Sequence, residues 1–275
     1  MPANISFIKR NGITFMLPPK DELNSVHDQP SIEVVVETEL EHHLVAADRI
    51  RSIFPTSSKP PCFLLYFGCS GVELRSPRKP KQKGYKVDFS TIDRRVGTGN
   101  LSRNQILPKA IGRSVKTVID ATGGFCTDGF RLALMGYYVT VFEQSPIVST
   151  LVQDAFRRAQ LDSDLWLAVG ARINFAEGNS LDLIPKQAPP DTIYLDPMFP
   201  PKRKKSALPP GPVQILQSLI VCNGSLKVQP LFKLAKQIAK QKVVIKRPKH
   251  APVFSEKPAH IFEGKLVRYE VYLTT

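Results

Sequence analysis

Short apolar runs alternate with segments of helical periodicity through the last two thirds of the chain. The apolar runs are four or five residues long, as in buried strands, and cover residues 116–120, 138–142, 172–175, 191–195 and 242–246. Between and around them, hydrophobic residues recur at helical spacing over residues 101–111, 127–135, 146–160, 213–221 and 230–240. The final segment, 260–273, alternates enough to predict a β-hairpin. Strands and helices in alternation predict an α/β fold whose mostly parallel sheet is covered by helices on both faces.

The first 88 residues have a different pattern. Two short apolar runs, residues 32–36 and 62–67, are separated by polar and acidic stretches. The segment 76–84 is rich in proline and lysine and is interpreted as a linker or mobile loop. We therefore predict a small N-terminal α/β domain over residues 1–88 and a larger domain over residues 89–275.

The loops after the predicted strands are where a ligand is expected, because parallel sheets bind ligands beyond the carboxyl ends of their strands. The strand 116–120 ends at Asp120, and the loop after it contains Gly123 and Gly124, which allow close approach of the backbone to a ligand. The next strand is followed by Glu143, 23 residues after Asp120. An acidic residue at about this separation can accept hydrogen bonds from ribose hydroxyls. The pair fits a cofactor that contains a nucleoside.

Two classes of cofactor compete for this site. A dinucleotide site would show the pattern G-x-G-x-x-G, which is absent, and Asp128 near the helix start would repel a pyrophosphate. An acidic residue there suits a cofactor that carries a positively charged amino acid, as S-adenosylmethionine does. Two structural alternatives remain. Gly123 and Gly124 could form a plain turn, and Glu143 could be an exposed acid beside a helix start.

A candidate acceptor site follows the strand 191–195. Asp196 and Pro197 come directly after this apolar run, and Phe199 lies two residues further on. A carboxylate, a rigid backbone carbonyl and an aromatic ring at one point can hold the amino group of a nucleobase. Taken alone, Asp-Pro after a strand is more often a simple turn, because Asp caps turns and Pro fixes φ.

The chain is strongly basic, and its positive charge is clustered. It has 38 Lys and Arg against 24 acidic residues, a formal charge of +14 and a pI near 9.7, which favours polyanions as partners. The three clusters are Arg75, Arg78, Lys79, Lys81, Lys83 and Lys86; Lys202, Arg203, Lys204 and Lys205; and Lys246, Arg247 and Lys249. A solvated loop explains the first cluster equally well. The other two follow predicted strands, so Lys202–Lys205 and Lys246–Arg247 are predicted to contact phosphates.

Other features exclude several classes of protein. No apolar run approaches the roughly 18–20 residues of a membrane span, and the first 18 residues lack a signal-peptide pattern. The four cysteines form no C-x-x-C pair, which suits reduced thiols in a cytosol, and the five histidines show no metal-ligand spacing. We expect a cytoplasmic protein that binds neither a membrane nor a metal.

Four segments together resemble a known family, the bacterial small-subunit ribosomal RNA guanine-N2 methyltransferases called RsmJ. They are residues 118–124, Glu143, residues 194–200 and residues 244–248. The most specific strings are Leu-Asp-Pro-Met-Phe-Pro at 195–200 and Lys-Arg-Pro at 246–248. The resemblance covers about residues 87–275 well and the N-terminal part loosely. It implies a Rossmann-like class I methyltransferase fold with a seven-stranded sheet, S-adenosylmethionine as methyl donor, and a guanine N2 of 16S rRNA, free or in the 30S subunit, as acceptor.

The resemblance also implies roles for individual residues. Asp196 would lie at the reaction centre. From the chemistry of the amine, the Pro197 carbonyl is the candidate second acceptor, and Phe199 is expected to stack on the base. The implied cofactor residues are Asp120, Gly123 and Gly124 in the first loop, Thr127 and Asp128 at the methionine end, Glu143 and Gln144 at the ribose, Asn179 and Ser180 near the adenine, and Asp196. One departure is that Cys126 and Thr127 stand where the family typically has glycine and arginine, and a Cβ at position 126 could crowd the cofactor.

Two other functions stay open at this level. The same chemistry could act on an adenine N6 or a protein glutamine, although Met198 in place of a second proline and the Lys-Arg-Pro string favour guanine N2. Alternatively, the chain could be a non-catalytic RNA-binding protein on the same fold. Cys126 is the only support for that alternative. The residues that oppose it are Asp120, Glu143, Asp196 and Phe199.

Overall fold

The computed structural model describes residues 7–10, 13–16, 31–55, 60–95, 101–197, 228–254 and 256–274. At the start of this range, β1 (Phe7–Arg10) and β2 (Ile13–Met16) pair as an antiparallel hairpin. A three-stranded sheet follows, formed by β3 (Ile32–Glu37), β4 (Phe63–Gly68) and β5 (Gly71–Arg75), with α1 (Glu41–Ile53) between β3 and β4. β3 and β4 are parallel, and β5 returns antiparallel to β4.

The segment predicted to be a linker is a turn that folds back onto β5. Leu74 and Tyr85 exchange two backbone hydrogen bonds, of 2.8 and 2.9 Å, and so close the turn. The interpretation as a linker missed this pairing, because proline- and lysine-rich composition does not reveal which backbone groups are paired. The predicted domain boundary at residue 88 stays a prediction.

The larger sheet has seven strands in the spatial order β11-β12-β10-β9-β6-β7-β8. Its strands are β6 (Thr117–Asp120), β7 (Tyr138–Glu143), β8 (Ile173–Glu177), β9 (Thr192–Leu195), β10 (Lys242–Pro248), β11 (His260–Glu263) and β12 (Val267–Leu273). The five strands β6 to β10 are mutually parallel, and β12 is antiparallel to both β10 and β11. The predicted parallel sheet and terminal hairpin are therefore confirmed.

Six helices accompany this sheet among the described residues. They are α2 (Ile106–Ile111), α3 (Thr127–Leu134), α4 (Pro146–Leu161), α5 (Ser163–Val169), α6 (Ser180–Leu183) and α7 (Val228–Ile238). α2 is shorter than predicted because the chain turns at Ser102, whose oxygens accept hydrogen bonds from Asn104 and Gln105. α5 was not predicted; the Asp162 carboxylate caps it by accepting from the Leu165 amide at 3.0 Å. The helix predicted over 213–221 lies outside the described residues.

The hydrophobic core lies on both faces of the large sheet. Along β10, Val244 packs into one apolar cluster, while Val243 and Ile245 pack into the other, as strand alternation requires. Each such fully buried side chain contributes about 1.5–3 kcal/mol relative to an exposed one. The first cluster is continuous with buried residues of the N-terminal sheet, such as Phe67. No helix of the described part is both long and apolar enough to cross a membrane.

Buried polar contacts join the N-terminal elements to the large sheet. The Asp154 carboxylate on α4 accepts hydrogen bonds from the Val72 amide at 3.1 Å and from Arg158, and it contacts His43 of α1 at 3.1 Å. Arg49 of α1 donates two hydrogen bonds, of 2.7 and 2.8 Å, to the Glu177 carboxylate at the end of β8. The N-terminal elements therefore reach the carboxyl edge of the large sheet.

Candidate active site

The carboxyl ends of five parallel strands bring the predicted site residues to one edge of the sheet. β6 ends at Asp120 and β7 at Glu143, while Asp196 follows β9 directly. β9 pairs with β6 on one side and with β10 on the other, so the strand order reverses between β6 and β9. Ligands bind at such a switch point in open α/β sheets.

The loop after β6 is held close against β7. The Gly123 amide donates to the Phe142 carbonyl at 2.8 Å, and a Cβ at Gly123 would lie 2.5 Å from Val141 Cγ1. Only glycine fits there without displacing β7. Gly124 and Cys126 have positive φ angles of 50° and 59°. The loop therefore has a fixed shape determined by its glycines and by contact with the neighbouring strand.

Cys126, which the resemblance led us to expect as glycine, is part of the core. Its side chain is fully buried in the first apolar cluster, and its amide donates to the Gly123 carbonyl at 2.7 Å. Burial raises the pKa of the Cys126 thiol well above its ordinary value, and the nearby acidic groups add to this. The thiol is therefore an inert packing group, and its burial removes the main reason to expect that it crowds a cofactor.

Glu143 lies at the end of β7 with its carboxylate fixed by the backbone. Its two oxygens accept from the Gly124 amide and the Ser145 amide, both at 2.7 Å. Burial raises the pKa of Glu143 to about 6, and the neighbouring Glu177 adds to the effect while the amide donors oppose it. Arg49 pairs with Glu177, so a side chain of α1 compensates charge beside this predicted ribose ligand.

The two residues predicted near the adenine fix the loop after β8. Asn179 Oδ1 accepts from the Leu181 amide at 3.0 Å and so caps α6. Ser180 Oγ donates to the Ala121 carbonyl at 2.6 Å, which ties this loop to the loop after β6. Gln144 and Thr127 are both exposed at the same edge.

A lysine joins two carboxylates at the switch point. Lys246 Nζ lies 2.9 Å from Asp128 Oδ2 and 2.9 Å from Asp196 Oδ2. The hydroxyl of the buried Tyr194 donates to the same Asp128 oxygen at 2.9 Å. Burial alone would raise the pKa of Asp128, but Lys246, Tyr194 and Arg131 outweigh it and hold that pKa below its ordinary value.

Asp196 and Lys246 shift each other's titration. Burial raises the pKa of Asp196, and the Asp128 charge adds to this while Lys246 opposes it. For Lys246, burial favours the neutral amine, but the two carboxylates dominate and raise its pKa. The Asp196 amide also donates to Thr122 Oγ1 at 2.5 Å. This contact fixes the start of the Asp-Pro segment against the loop after β6.

Asp120 has the least compensated charge in the site. It is buried, and its carboxylate accepts one hydrogen bond, of 3.2 Å, from the Thr122 amide. Burial raises the pKa of Asp120 to about 8, and Asp128 and Asp196 contribute in the same direction. Two carboxylates, Asp128 and Asp196, therefore share one lysine, while Asp120 is mostly protonated at neutral pH. This excess of negative charge fits the sulfonium and ammonium groups of S-adenosylmethionine, and Glu143 fits its ribose.

Lys246 and Arg247 were predicted to contact phosphates, and the structure gives both of them other positions. Lys246 is bound to two carboxylates. Arg247 is only 7% exposed; it donates to the Pro252 carbonyl at 2.9 Å and lies 5.3 Å from the centre of the Phe254 ring. The prediction ended the strand at Lys246, so that the Lys-Arg pair would leave the strand end and meet phosphates, whereas β10 continues to Pro248 and stays paired with β12. We therefore no longer assign these two residues to RNA.

The cluster around Lys246 was not predicted from the sequence, because it depends on which strands are neighbours in the sheet. Ile245 pairs with Leu195, so the next residue on each strand, Lys246 and Asp196, is adjacent at the sheet edge. Tyr194 and Asp128 belong to the same cluster but lie 66 residues apart in sequence. Pro197 is buried beside this cluster. Phe199 and the run Lys202–Lys205 lie outside the described residues.

The strand order, the glycine loop after β6 and the acidic residues at the ends of β6 and β7 define a class I S-adenosylmethionine-dependent methyltransferase. The model of the SAM-dependent methyltransferase family matches residues 52–274. The chain is also 31% identical to a SAM-dependent methyltransferase of Neisseria gonorrhoeae of known crystal structure, with a TM-score of 0.63 over 88% of this chain and 96% of that one. The predicted fold class and cofactor are thereby confirmed.

Relatives with assigned names narrow the family further. The chain is 38% identical to the ribosomal RNA small subunit methyltransferase J of Aeromonas salmonicida, over 78% of this chain and 87% of that protein. It is 35% identical to the protein of the same name from Buchnera aphidicola, over 76% and 85% of the two chains. The chain belongs to the ribosomal RNA small subunit methyltransferase J family, which confirms the resemblance noted from the motifs.

Proposed function

We propose that this protein transfers a methyl group from S-adenosylmethionine to the exocyclic N2 amine of one guanine in 16S rRNA. The names of its relatives support small-subunit ribosomal RNA as the substrate. The observation that carries the proposal is the position of Asp196, whose carboxylate lies at the strand-order switch, beside the cofactor loop, with 34% of its side chain exposed. A carboxylate placed there can reach both a bound cofactor and an incoming base.

The acceptor amine needs help because its lone pair is delocalised into the purine ring. Two acceptors in the plane of the amine, the Asp196 carboxylate and the Pro197 carbonyl, would draw the nitrogen toward tetrahedral geometry and aim its lone pair at the methyl carbon. Phe199 would stack on the base. Orientation of the two reactants in a site shielded from water accounts for most of the acceleration in this mechanism.

The contact with Lys246 leaves one oxygen of the Asp196 carboxylate able to accept a hydrogen bond from the amine. Lys246 contacts Oδ2 only, and among the described residues nothing donates to Oδ1, which stays available to the amine. As the new N–C bond forms, the S–C bond breaks and S-adenosylhomocysteine leaves. The amine then loses one proton, to Asp196 or to water. The raised pKa of Asp196, caused by its burial, makes it a better proton acceptor than an ordinary carboxylate.

A guanine within folded RNA must leave its stack to reach Asp196, so the flanking phosphates need their own binding groups. The run Lys202–Lys205 follows the Asp-Pro segment directly in sequence and stays a proposed phosphate contact. The alternatives are transfer to an adenine N6 or a protein glutamine, or RNA binding without catalysis. The retained Asp120, Glu143 and Asp196 argue against the last of these.

The test is methyl transfer from labelled S-adenosylmethionine to methyl-deficient 30S subunits and to free 16S rRNA, followed by nucleoside analysis. We expect N2-methylguanosine at a single position. If the product is N6-methyladenosine, the acceptor is an adenine N6 and not guanine N2. If the label is found in protein, the acceptor is a protein side chain. Cofactor binding measured by calorimetry without any transfer to rRNA would reject the proposed acceptor altogether.

A further inference from the structure

A basic turn follows β5 and carries four exposed cations with no acidic residue among them. The turn consists of residues 76–83, and its cations are Arg78, Lys79, Lys81 and Lys83. Within the part of the chain that the structure describes, no carboxylate forms an ion pair with any of the four. Exposure alone fits a solvated loop as well as it fits a binding surface. The anchoring and the position of the turn therefore decide between these two interpretations.

The basic turn is firmly anchored at both ends. The buried Glu73 carboxylate accepts from the Gly84 amide at 2.9 Å and from Arg75 Nε at 3.0 Å. Arg75 in turn lies 3.2 Å from the centre of the Tyr66 ring and donates to the Pro80 carbonyl at 3.1 Å. A Cβ at Gly84 would lie 2.4 Å from the Leu74 carbonyl oxygen, so the closing strand approaches as closely as glycine permits. An anchored turn loses less conformational entropy on binding than a free loop would.

Aromatic contacts place the basic turn at the same end of the molecule as Asp196. Tyr85, two residues after the turn, packs against Phe125 of the loop after β6, with ring centres 4.5 Å apart. Four residues later, Phe89 stacks on Phe130 in the first turn of α3, at 4.1 Å.

At the opposite end of α3, Arg103 donates to the Met135 carbonyl at 2.9 Å. Tyr85 and Phe89 therefore lie near the site end of α3, and Arg103 lies near its far end. The hydrogen bonds between Leu74 and Tyr85 close the basic turn, so the turn begins and ends beside the Tyr85–Phe125 contact, at the site end of α3.

We propose that the basic turn binds the phosphate backbone of the RNA whose base enters the site at Asp196. This inference rests on the proposed function, because it assumes an RNA substrate, and it adds the surface that holds that substrate. Phosphate contacts fix the position of a nucleic acid without reading its sequence, and this suits an anchored set of cations beside a pocket that selects one base.

The test compares two variants of the full-length protein that each remove four exposed positive charges. The test variant is Arg78→Gln, Lys79→Gln, Lys81→Gln and Lys83→Gln. The matched control is Lys109→Gln, Arg113→Gln, Lys116→Gln and Lys240→Gln. These residues are also exposed; Lys109 lies on α2, and the others lie just before the starts of β6 and β10. Binding of a 16S rRNA transcript is measured over a range of KCl concentrations, with S-adenosylmethionine affinity and melting temperature as checks on the fold.

If the turn contacts RNA, the slope of log affinity against log salt becomes shallower by about 3, because each phosphate contact contributes about 0.7–0.9. Affinity at 0.15 M KCl should fall on the order of tenfold or more, while S-adenosylmethionine affinity stays unchanged and the control variant binds like wild type. An unchanged slope in the test variant, or an equal loss in both variants, would overturn the proposal. The salt slopes decide this whether or not wild type methylates guanine, so a failure of the proposed function is distinguished from a failure of the turn.

Discussion

The two halves of the sheet's carboxyl edge hold their acidic side chains in different ways. At the ends of β6 and β7, backbone amides hold the carboxylates: Glu143 accepts from Gly124 and Ser145, and Asp120 accepts from Thr122. At the ends of β9 and β10, Asp196 depends on one side chain, Lys246. Asp128 joins the two halves, since it lies in the first turn of α3 after β6 but binds Lys246.

We infer from this difference that one half of the edge binds the cofactor and the other binds the acceptor. Backbone donors move only if the loop moves, so we propose that the β6–β7 half is a preformed site for the cofactor, which takes part in every turnover. An ion pair between side chains can adjust when a substrate arrives, so the β9–β10 half suits the acceptor. Each prediction below disturbs one half and asks whether the other half is spared.

The largest effect is expected from Asp196→Ala. Loss of the carboxylate that orients the amine should lower methyl transfer by about 10³-fold, comparable to the loss of a key transition-state contact. S-adenosylmethionine affinity should change by no more than about threefold, because the β6–β7 half is intact. Single-turnover kinetics and calorimetry measure the two quantities, with the exposed Asp164→Ala as control. Turnover at the wild-type rate would remove Asp196 from the mechanism.

The next largest effect is expected on stability, from Lys246→Met. The Asp128 and Asp196 carboxylates would lose their shared cation, and breaking a buried ion pair in this way costs about 3 kcal/mol. Denaturant unfolding measures the change. Lys249→Met is the matched control, since Lys249 lies 3.9 Å from the exposed Glu263 and such surface pairs contribute about 1 kcal/mol or less. Adding Asp196→Asn to Lys246→Met should restore part of the loss; equal stability of Lys246→Met and wild type would show that the cluster is not a structural unit.

Glu143→Gln tests the β6–β7 half of the sheet edge, where the cofactor is proposed to bind. The amide oxygen is a weaker acceptor for ribose hydroxyls, and one backbone donor loses its carboxylate partner. Hydrogen bonds to charged groups contribute about 1.5–3 kcal/mol, so affinity for S-adenosylmethionine should fall by about tenfold or more. Transfer measured at saturating cofactor should stay within about threefold of wild type. Glu263→Gln on the terminal hairpin serves as control, and an unchanged dissociation constant would exclude Glu143 as a ribose ligand.

The prediction with the smallest effect per step of one pH unit is a dependence of stability on pH through Asp120. The pKa of Asp120 is about 8 in the folded protein and 3.8 as an ordinary aspartate, so between these values the folded state binds more protons than the unfolded state. The free energy of unfolding should therefore fall as pH rises from about 4 to about 8, with a slope of at most about 1.4 kcal/mol per pH unit for one group.

Asp120→Asn should flatten that slope, whereas the exposed Asp164→Asn should leave it unchanged. Denaturant titrations at several pH values compare the three proteins. Parallel curves for wild type and Asp120→Asn would contradict the assignment of this titration to Asp120.

The sequence predicted the positions of residues in the β6–β7 half of the sheet edge better than those in the β9–β10 half, for a physical reason. Asp120 and Glu143 end apolar strands, and short loops from parallel strands must emerge at one edge, so position in the chain was enough to place them. To place Lys246, one must know which strands are neighbours and that its side chain is largely buried. Composition alone would assign such a lysine to the surface. Arg49 lies 128 residues from its partner Glu177, and no local pattern indicates such a contact.

The most direct test of this division is a crystal structure of the protein with S-adenosylhomocysteine bound. The account predicts that the ribose hydroxyls contact Glu143, that the amino-acid end lies among Asp120 and Asp128, and that the sulfur faces Asp196. A cofactor bound away from the ends of β6 and β7, or with its sulfur directed away from Asp196, would contradict it.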